Sequence, residues 1–119
     1  MTWYLTIRSD EDYSQYVATA SLVEFLTSLS ELQATGPATF RTTSGWPWMQ
    51  LILAKCGPGS IGYQVRDDIA PPWINIVELV CTDYNVPDWY DRLAGRIAAH
   101  LGWSAHEDHA GRQVWPIVQ

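Results

Sequence analysis

The side chains best suited to chemistry stand together near the end of the chain. His106, Glu107, Asp108 and His109 form one run, and His100 precedes it. Imidazole and carboxylate groups are ligands that zinc and similar ions accept. The run follows an expected helix end, however, and its spacing differs from the signature of the metalloproteases. We therefore predict a solvated polar turn here, with no bound metal and no cofactor.

Nucleophilic and acid–base catalysis find little support, because the sequence lacks a GxSxG motif, a phosphate-binding loop and a GxGxxG motif. Cys56 and Cys81 end apolar runs and are not set among basic groups that would lower a thiol pKa. We expect buried free thiols, with a bridge between neighbouring strands left open. Glu78 interrupts an apolar strand and is expected on its outer face. In the alternative, Glu78 acts as acid or base in a pocket beneath the loop 57–72, and the chain is an enzyme or a small-ligand-binding protein.

Seven tryptophans in 119 residues are the strongest signal. Each indole has a large apolar area that must enter a core or meet a partner, and a short chain buries only part of that area easily. Four of the indoles occupy expected strand or helix positions, where core burial is natural: Trp3, Trp89, Trp103 and Trp115.

The other three tryptophans flank turns and a long loop rich in Gly and Pro, and long loops often carry function. They are Trp46, Trp48 and Trp73. Together with Tyr63, Asp67 and Asp68 they are expected to form an aromatic surface rimmed by negative charge. Aromatic anchors inside a charged rim suit tight binding of a basic protein. In the alternative, the three rings pin the loop ends onto the sheet.

The charge of the chain narrows the class of partner. Thirteen acidic residues outweigh seven basic ones, which gives a formal net charge of −6 and a pI near 4.7. Such a field repels phosphate backbones, so nucleic-acid binding is not expected, and it attracts a basic protein. The sequence shows no signal peptide and no apolar run near the ~18 residues of a membrane span, so we expect a cytoplasmic protein that makes no membrane contact.

Hydrophobic periodicity predicts the secondary structure. A period of two marks strands, which are expected at residues 3–8, 39–43, 48–56, 73–81 and 112–118. A first helix begins with a Ser21–Glu24 capping box and runs to about Leu32. A second helix is capped by Asp88 and ends before Gly102, which suits the left-handed conformation that follows a helix.

These elements predict an α+β fold in a single domain, residues 1–119. The order is β-α-β-β-β-α-β, and both helices have one apolar face that must cover a sheet. Short turns between strands favour antiparallel neighbours. We therefore expect a two-layer sandwich, with a mainly antiparallel sheet of about five strands and two helices on one face.

The chain ends with a helix and a strand, from Trp89 to Trp115, joined through a Leu101-Gly102-Trp103 corner. In size, acidity and element order the whole chain resembles the small, acidic, tryptophan-rich α+β proteins of bacteria. These include the immunity proteins that neutralise polymorphic or contact-dependent toxins. The resemblance implies a cytosolic, non-catalytic protein that plugs the active site of a toxin, and it assigns no role to an individual residue.

The leading hypothesis is therefore a non-enzymatic binding protein whose acidic, aromatic surface meets a basic protein, such as a toxin domain. The enzyme or small-ligand hypothesis with Glu78 belongs to a different class. A third hypothesis is a homodimer in which an exposed sheet face associates with its own copy through aromatic side chains.

Overall fold

The chain forms strands and helices of the α+β class. A computed structural model describes residues 2–56, 69–108 and 111–117. The strands in this part are β1 (Trp3–Arg8), β2 (Val17–Ala18), β3 (Leu32–Gly36), β4 (Thr39–Thr42), β5 (Met49–Ala54), β6 (Trp73–Ile74), β7 (Ile76–Cys81), β8 (Ser104–Glu107) and β9 (Gln113–Trp115). The helices are α1 (Thr19–Thr27) and α2 (Pro87–Leu101).

The strand pairings in the described residues are all antiparallel. Seven strands form one sheet in the order β3-β4-β5-β7-β1-β8-β9, and β2 pairs with β6 in a separate two-stranded sheet. The predicted α+β fold, with a mainly antiparallel sheet and two helices, is confirmed. The large sheet has seven strands instead of about five, because the unpredicted segments β3 and β8 join it.

The central strands and both helices share one apolar core. Inward-pointing residues alternate along β1, β5 and β7, as the period of two predicts. The helices add leucines, isoleucine and tyrosine to the same cluster, and each such side chain contributes roughly 1.5–3 kcal/mol when it is fully buried. Members of this cluster include Leu5, Ile7, Leu51, Leu79, Leu22, Leu26, Tyr90, Leu93 and Ile97.

The start of α1 is fixed by a distant contact and not by the predicted capping box. The helix begins at Thr19, after an extended Ala18, and no side chain caps it. The amide of Thr19 donates to the carbonyl of Pro72 at 3.0 Å. The Ser21 hydroxyl donates to the Ala18 carbonyl instead of accepting an amide. A tertiary contact therefore satisfies the helix start.

The predicted end of α1 near Leu32 is also wrong, because the helix stops at Thr27. The hydroxyls of Thr27 and Ser28 donate to the carbonyls of Val23 and Phe25, and bonds of this kind compete with helix propagation. Leu29 and Leu32 are buried although they lie beyond the helix. Their apolar spacing, which resembles a helical stripe, is satisfied by a turn that leads into β3.

Helix α2 is close to its prediction. Pro87 occupies its first turn and Val86 precedes it, so Asp88 is not the cap, but its carboxylate lies in the first turn and complements the helix dipole. Gly102 has φ +71°, which confirms the left-handed position after the helix. Among the described residues, neither helix is long and apolar enough to cross a membrane.

Asn75 divides the predicted strand 73–81 into β6 and β7. Its buried side chain makes three hydrogen bonds to the backbone. Oδ1 accepts from the Cys56 amide at 2.7 Å, and Nδ2 donates to the carbonyls of Cys56 at 3.1 Å and Tyr13 at 3.2 Å. These bonds join Asn75 to two segments that are distant in sequence. They interrupt the strand at this position, and β6 pairs with β2 outside the large sheet.

The substitution Asn75→Asp keeps the shape of this side chain but places an oxygen where Nδ2 donates. We expect the free energy of unfolding to fall by about 3 kcal/mol at pH 7, since a buried charged group without donors costs more than the ~1–3 kcal/mol of a neutral unsatisfied one. Urea unfolding measures the loss. Asn85→Asp makes the same change on an exposed side chain, and equal unfolding midpoints for the two variants would contradict the role of Asn75.

Candidate functional site

The tryptophans predicted to meet a partner are exposed. The exposed fraction is 44% for Trp46, 49% for Trp48 and 55% for Trp73. The remaining predicted members of this surface, Tyr63, Asp67 and Asp68, lie outside the described residues. The four tryptophans assigned to the core, Trp3, Trp89, Trp103 and Trp115, lie in the core cluster or pack against it.

The sheet register separates the three exposed tryptophans into two places. Met49 pairs with Cys81 and Ala54 pairs with Ile76. Trp48 therefore lies beyond one end of the β5–β7 ladder, whereas Trp73 lies beyond the other end, at a separation of about 17 Å or more. The structure brings Trp46 and Trp48 together, and it does not bring Trp73 to them.

A series of aromatic contacts connects Trp46 to the core. The Trp46 ring lies 5.8 Å from Trp89, which meets Tyr90 edge-on at 5.5 Å. Tyr90 also meets Trp3 edge-on at 5.3 Å, and Trp3 lies 4.4 Å from Tyr84. Tilted and edge-to-face pairs at such distances are favourable. The rings connect β1, α2 and the turns before β5 and α2 into one end of the molecule.

The surface at this end is here called the tryptophan end and consists of Trp46, Trp48, Asp83, Tyr84 and Asp88. Tyr84 is 54% exposed and Asp88 is exposed, while Asp83 is half-buried. Asp83 and Tyr84 have no signal in the sequence that marks them as site residues, because the segment 82–87 shows no periodicity. The Asp88 signal, an acid at a helix start, was present but interpreted only as a cap.

Tyr90 holds the tryptophan end in place. Its side chain is fully buried, and its hydroxyl donates to the Trp48 carbonyl at 2.6 Å and accepts from the Asp83 amide at 3.3 Å. Burial raises the pKa of the Tyr90 phenol, so the hydroxyl keeps its proton at neutral pH. A single buried side chain thus ties α2 to both segments that carry the exposed residues.

Negative charge gathers close to this end. Asp108 exchanges hydrogen bonds with the backbone of Tyr4, next to Trp3. Burial raises the pKa of the Cys81 thiol, and the nearby charges of Asp91 and Asp108 raise it further. Two cations also lie at this end: Arg41 lines a shallow groove of about 290 Å³ beside Trp46 and Trp48, and Arg112 lines one of about 250 Å³ beside Trp3 and Tyr84. The tryptophan end is therefore aromatic, and it combines the carboxylates of Asp83 and Asp88 with these two cations at its margin.

The candidate nucleophiles, Cys56 and Cys81, and the candidate acid–base residue, Glu78, have structural roles. Cys56 and Cys81 are free and buried, as predicted, and no bridge joins them. Burial also raises the pKa of the Cys56 thiol, with a smaller effect from the charge of Glu78. Glu78 lies on the sheet face opposite the core and accepts a hydrogen bond from the Thr6 hydroxyl at 2.6 Å. Most of the loop 57–72 that was expected to cover it, residues 57–68, lies outside the described residues.

The histidine run is not the simple polar turn that was predicted. His106 and Glu107 belong to strand β8, and His109 lies outside the described residues. His106 Nε2 lies 2.9 Å from the Ser104 hydroxyl. Burial and the charge of Arg8 lower the pKa of His106. In the part of the chain that the structure describes, no three His, Cys, Asp or Glu residues are placed to hold a metal ion.

Removing the hydroxyl that supports the tryptophan end tests its structural role. We expect Tyr90→Phe to lower the free energy of unfolding by about 1–3 kcal/mol, because the Trp48 carbonyl and Asp83 amide lose their buried partner. Tyr84→Phe removes a hydroxyl from an exposed ring and should change stability by less than about 0.5 kcal/mol. Chemical denaturation compares the two variants. A Tyr90→Phe variant as stable as Tyr84→Phe would show that these hydrogen bonds add nothing.

The raised pKa values predict inert thiols in the folded protein. Because the thiolate is the reactive form, we expect Cys56 and Cys81 to react with an aromatic disulfide reagent at least about 100-fold more slowly than a free cysteine at pH 8. Both thiols should react promptly after denaturation, which also confirms that they are unpaired. Rapid labelling of either thiol in the native protein would overturn their assignment as buried structural groups.

Comparisons with known proteins found no relative of this chain. No protein-family model matches the chain, and neither the curated proteins nor the solved structures gave a match. What the tryptophan end can bind therefore follows from its own residues and their charges.

Proposed function

We propose that the protein is a non-enzymatic binding module that presents the tryptophan end to a basic protein, and that it serves as an immunity protein that neutralises a toxin domain. The observation that carries the proposal is the exposure of Trp46 and Trp48, which the rings of Tyr90 and Trp89 connect to the segment of Asp83 and to the helix start at Asp88. Catalysis has no part in this role.

The aromatic residues supply the affinity in this proposal. Trp and Tyr dominate binding energy at interfaces because they remove a large area from water while losing few rotamers. Trp48 is attached to a strand whose backbone is held by Tyr90, and Trp46 packs on Trp89. Anchors that are already ordered lose little further entropy when they bind. Support of this kind suits a tight complex.

The acidic residues supply speed and selectivity. A net charge of −6 steers a basic partner toward the molecule over a range set by the ionic strength. Acids at the rim of an aromatic patch then favour basic surfaces over acidic ones. A toxin domain that acts on nucleic acid needs a basic surface to hold phosphates, and such a surface is complementary to the tryptophan end.

The fold proposed for this role is a two-layer sandwich, in which both helices lie on one face of the sheet.

The test is binding of basic toxin domains encoded beside this gene, measured by calorimetry and by protection of growing cells. We expect Trp46→Ala with Trp48→Ala to weaken binding at least about 100-fold, because central aromatic anchors contribute ~2 kcal/mol or more each. Trp73→Ala is the matched control, since this tryptophan is equally exposed at the other end of the ladder. An unchanged affinity in the double variant, with its fold intact, would reject the tryptophan end as the binding surface.

The electrostatic part is tested by the rate of association. Asp88→Asn should slow association and flatten its dependence on salt, because rim charges act mainly on the encounter rate. Asp12→Asn removes the same charge from the loop that follows β1, at the other end of that strand from Trp3, and should change the rate less. If the two substitutions slow association equally, steering depends on the net charge of the chain and not on the tryptophan end.

A further inference from the structure

A groove separate from the tryptophan end lies between helix α2 and the edge strand β9. It has a volume of about 540 Å³, within the range of ~300–1,000 Å³ typical of sites for small molecules. Gly95 and Ala99 line it from the helix, and Val114 and Trp115 line it from the strand. Its surface is thus largely apolar and is formed by regular secondary structure.

A glycine permits the close approach that shapes this groove. A Cβ atom on Gly95 would lie 3.3 Å from a ring carbon of Trp115, which is tighter than ordinary contact. The indole therefore lies almost directly on the helix backbone and leaves the space above Ala99 open. Ile117, which also lines the groove, is 72% exposed, so an apolar side chain is left in water at its margin.

Three cations and one carboxylate, that of Asp91, line this groove. Arg92, Arg96 and Arg112 line the groove and make up three of the seven Lys and Arg residues of the protein. Arg92, Gly95, Arg96 and Ala99 follow the i, i+3, i+4, i+7 spacing of one helix face. The helix thus presents a cationic, partly apolar face beside its buried one.

Two of these arginines already have acidic partners. Arg96 pairs with Glu31 at 2.5 Å, and Arg112 pairs with Glu107 at 2.9 Å and Asp91 at 3.2 Å. Arg92 is exposed and forms no ion pair with the residues that the structure describes. One guanidinium is therefore available at the groove, and a guanidinium binds a carboxylate through paired hydrogen bonds.

We infer that this groove binds an amphipathic monocarboxylate, an apolar chain or ring with one carboxylate. The apolar body lies against Trp115, Ala99 and Val114, and the carboxylate accepts hydrogen bonds from Arg92. A single anionic group matches the guanidinium of Arg92, the one of the groove's three that has no ion pair among the described residues. The apolar lining favours a ligand with a hydrophobic tail over a small polar anion. This inference does not depend on the proposed function, because the groove and the tryptophan end use different residues.

Decanoate is the probe, and the amide and indole NMR resonances of the intact protein are the readout. We expect saturable binding that shifts the indole resonance of Trp115, assigned with a Trp115→Phe variant, and leaves that of Trp46 in place. Decyltrimethylammonium has the same chain length and the opposite charge, and it should bind at least about tenfold more weakly. Acetate, which has the carboxylate without the tail, should show no saturation in the same range.

Variants separate the two halves of the site. Arg92→Gln should weaken decanoate binding about tenfold or more, since a charge-assisted hydrogen bond contributes more than a neutral one. Ala99→Phe fills the groove at an exposed helix position and should abolish binding while the thermal unfolding of the protein is unchanged. Arg41→Gln is the charge control, because β4 lies four strand positions beyond β8 in the sheet, far from β9, and it should bind like the parent.

The inference would be overturned by the absence of saturable decanoate binding, by equal binding of the cationic probe, or by unchanged binding in Ala99→Phe. Loss of binding in Arg41→Gln as large as in Arg92→Gln would also overturn it, because the effect would then follow net charge and not this site. None of these results bears on Trp46 and Trp48, so the proposed function stands or falls separately.

Discussion

The buried hydroxyl of Tyr90 must find hydrogen-bond partners, since an unpaired hydroxyl in an apolar core costs several kcal/mol on transfer scales. It finds them in the Trp48 carbonyl and the Asp83 amide. Beneath these segments the Tyr90 ring meets the rings of Trp3 and Trp89, each edge-on. Trp46 lies 5.8 Å from Trp89 on the outer side of this layer, and both Trp46 and Trp48 are exposed. The buried partners of the Tyr90 hydroxyl therefore fix the segments from which the exposed rings project.

Sequence periodicity predicts the elements whose burial is regular. The alternation in β1, β5 and β7 and the apolar stripe of α2 are all present in the structure, because one face of each must enter the core. The failures occur where non-local hydrogen bonds decide the structure. Thr19 begins a helix by bonding to Pro72, and Asn75 ends one strand by bonding to Tyr13 and Cys56. No local pattern indicates such partners.

The candidate site likewise has features that local sequence signals predict and features that only non-local contacts determine. Composition and turn signals predict that Trp46, Trp48 and Trp73 are exposed, which the structure bears out. Their grouping depends on strand register, which the sequence does not specify, and the register places Trp73 at the other end of the β5–β7 ladder. Asp83 and Tyr84 join Trp46 and Trp48 only because Tyr90 and Trp3 hold them there. Residue types were predictable, whereas their neighbours required the fold.

Helix α2 links the two surfaces proposed for this protein. Asp88 belongs to the tryptophan end, and Arg92 lies one turn further along the helix, about 6 Å in rise. This distance is shorter than the Debye length of ~8 Å at physiological ionic strength, so the guanidinium weakens the negative field at the tryptophan end. A carboxylate bound at Arg92 would cancel that positive charge and strengthen the attraction for a basic partner. Because such coupling is reciprocal, a basic protein bound near Asp88 would in turn strengthen the hold of Arg92 on its anion.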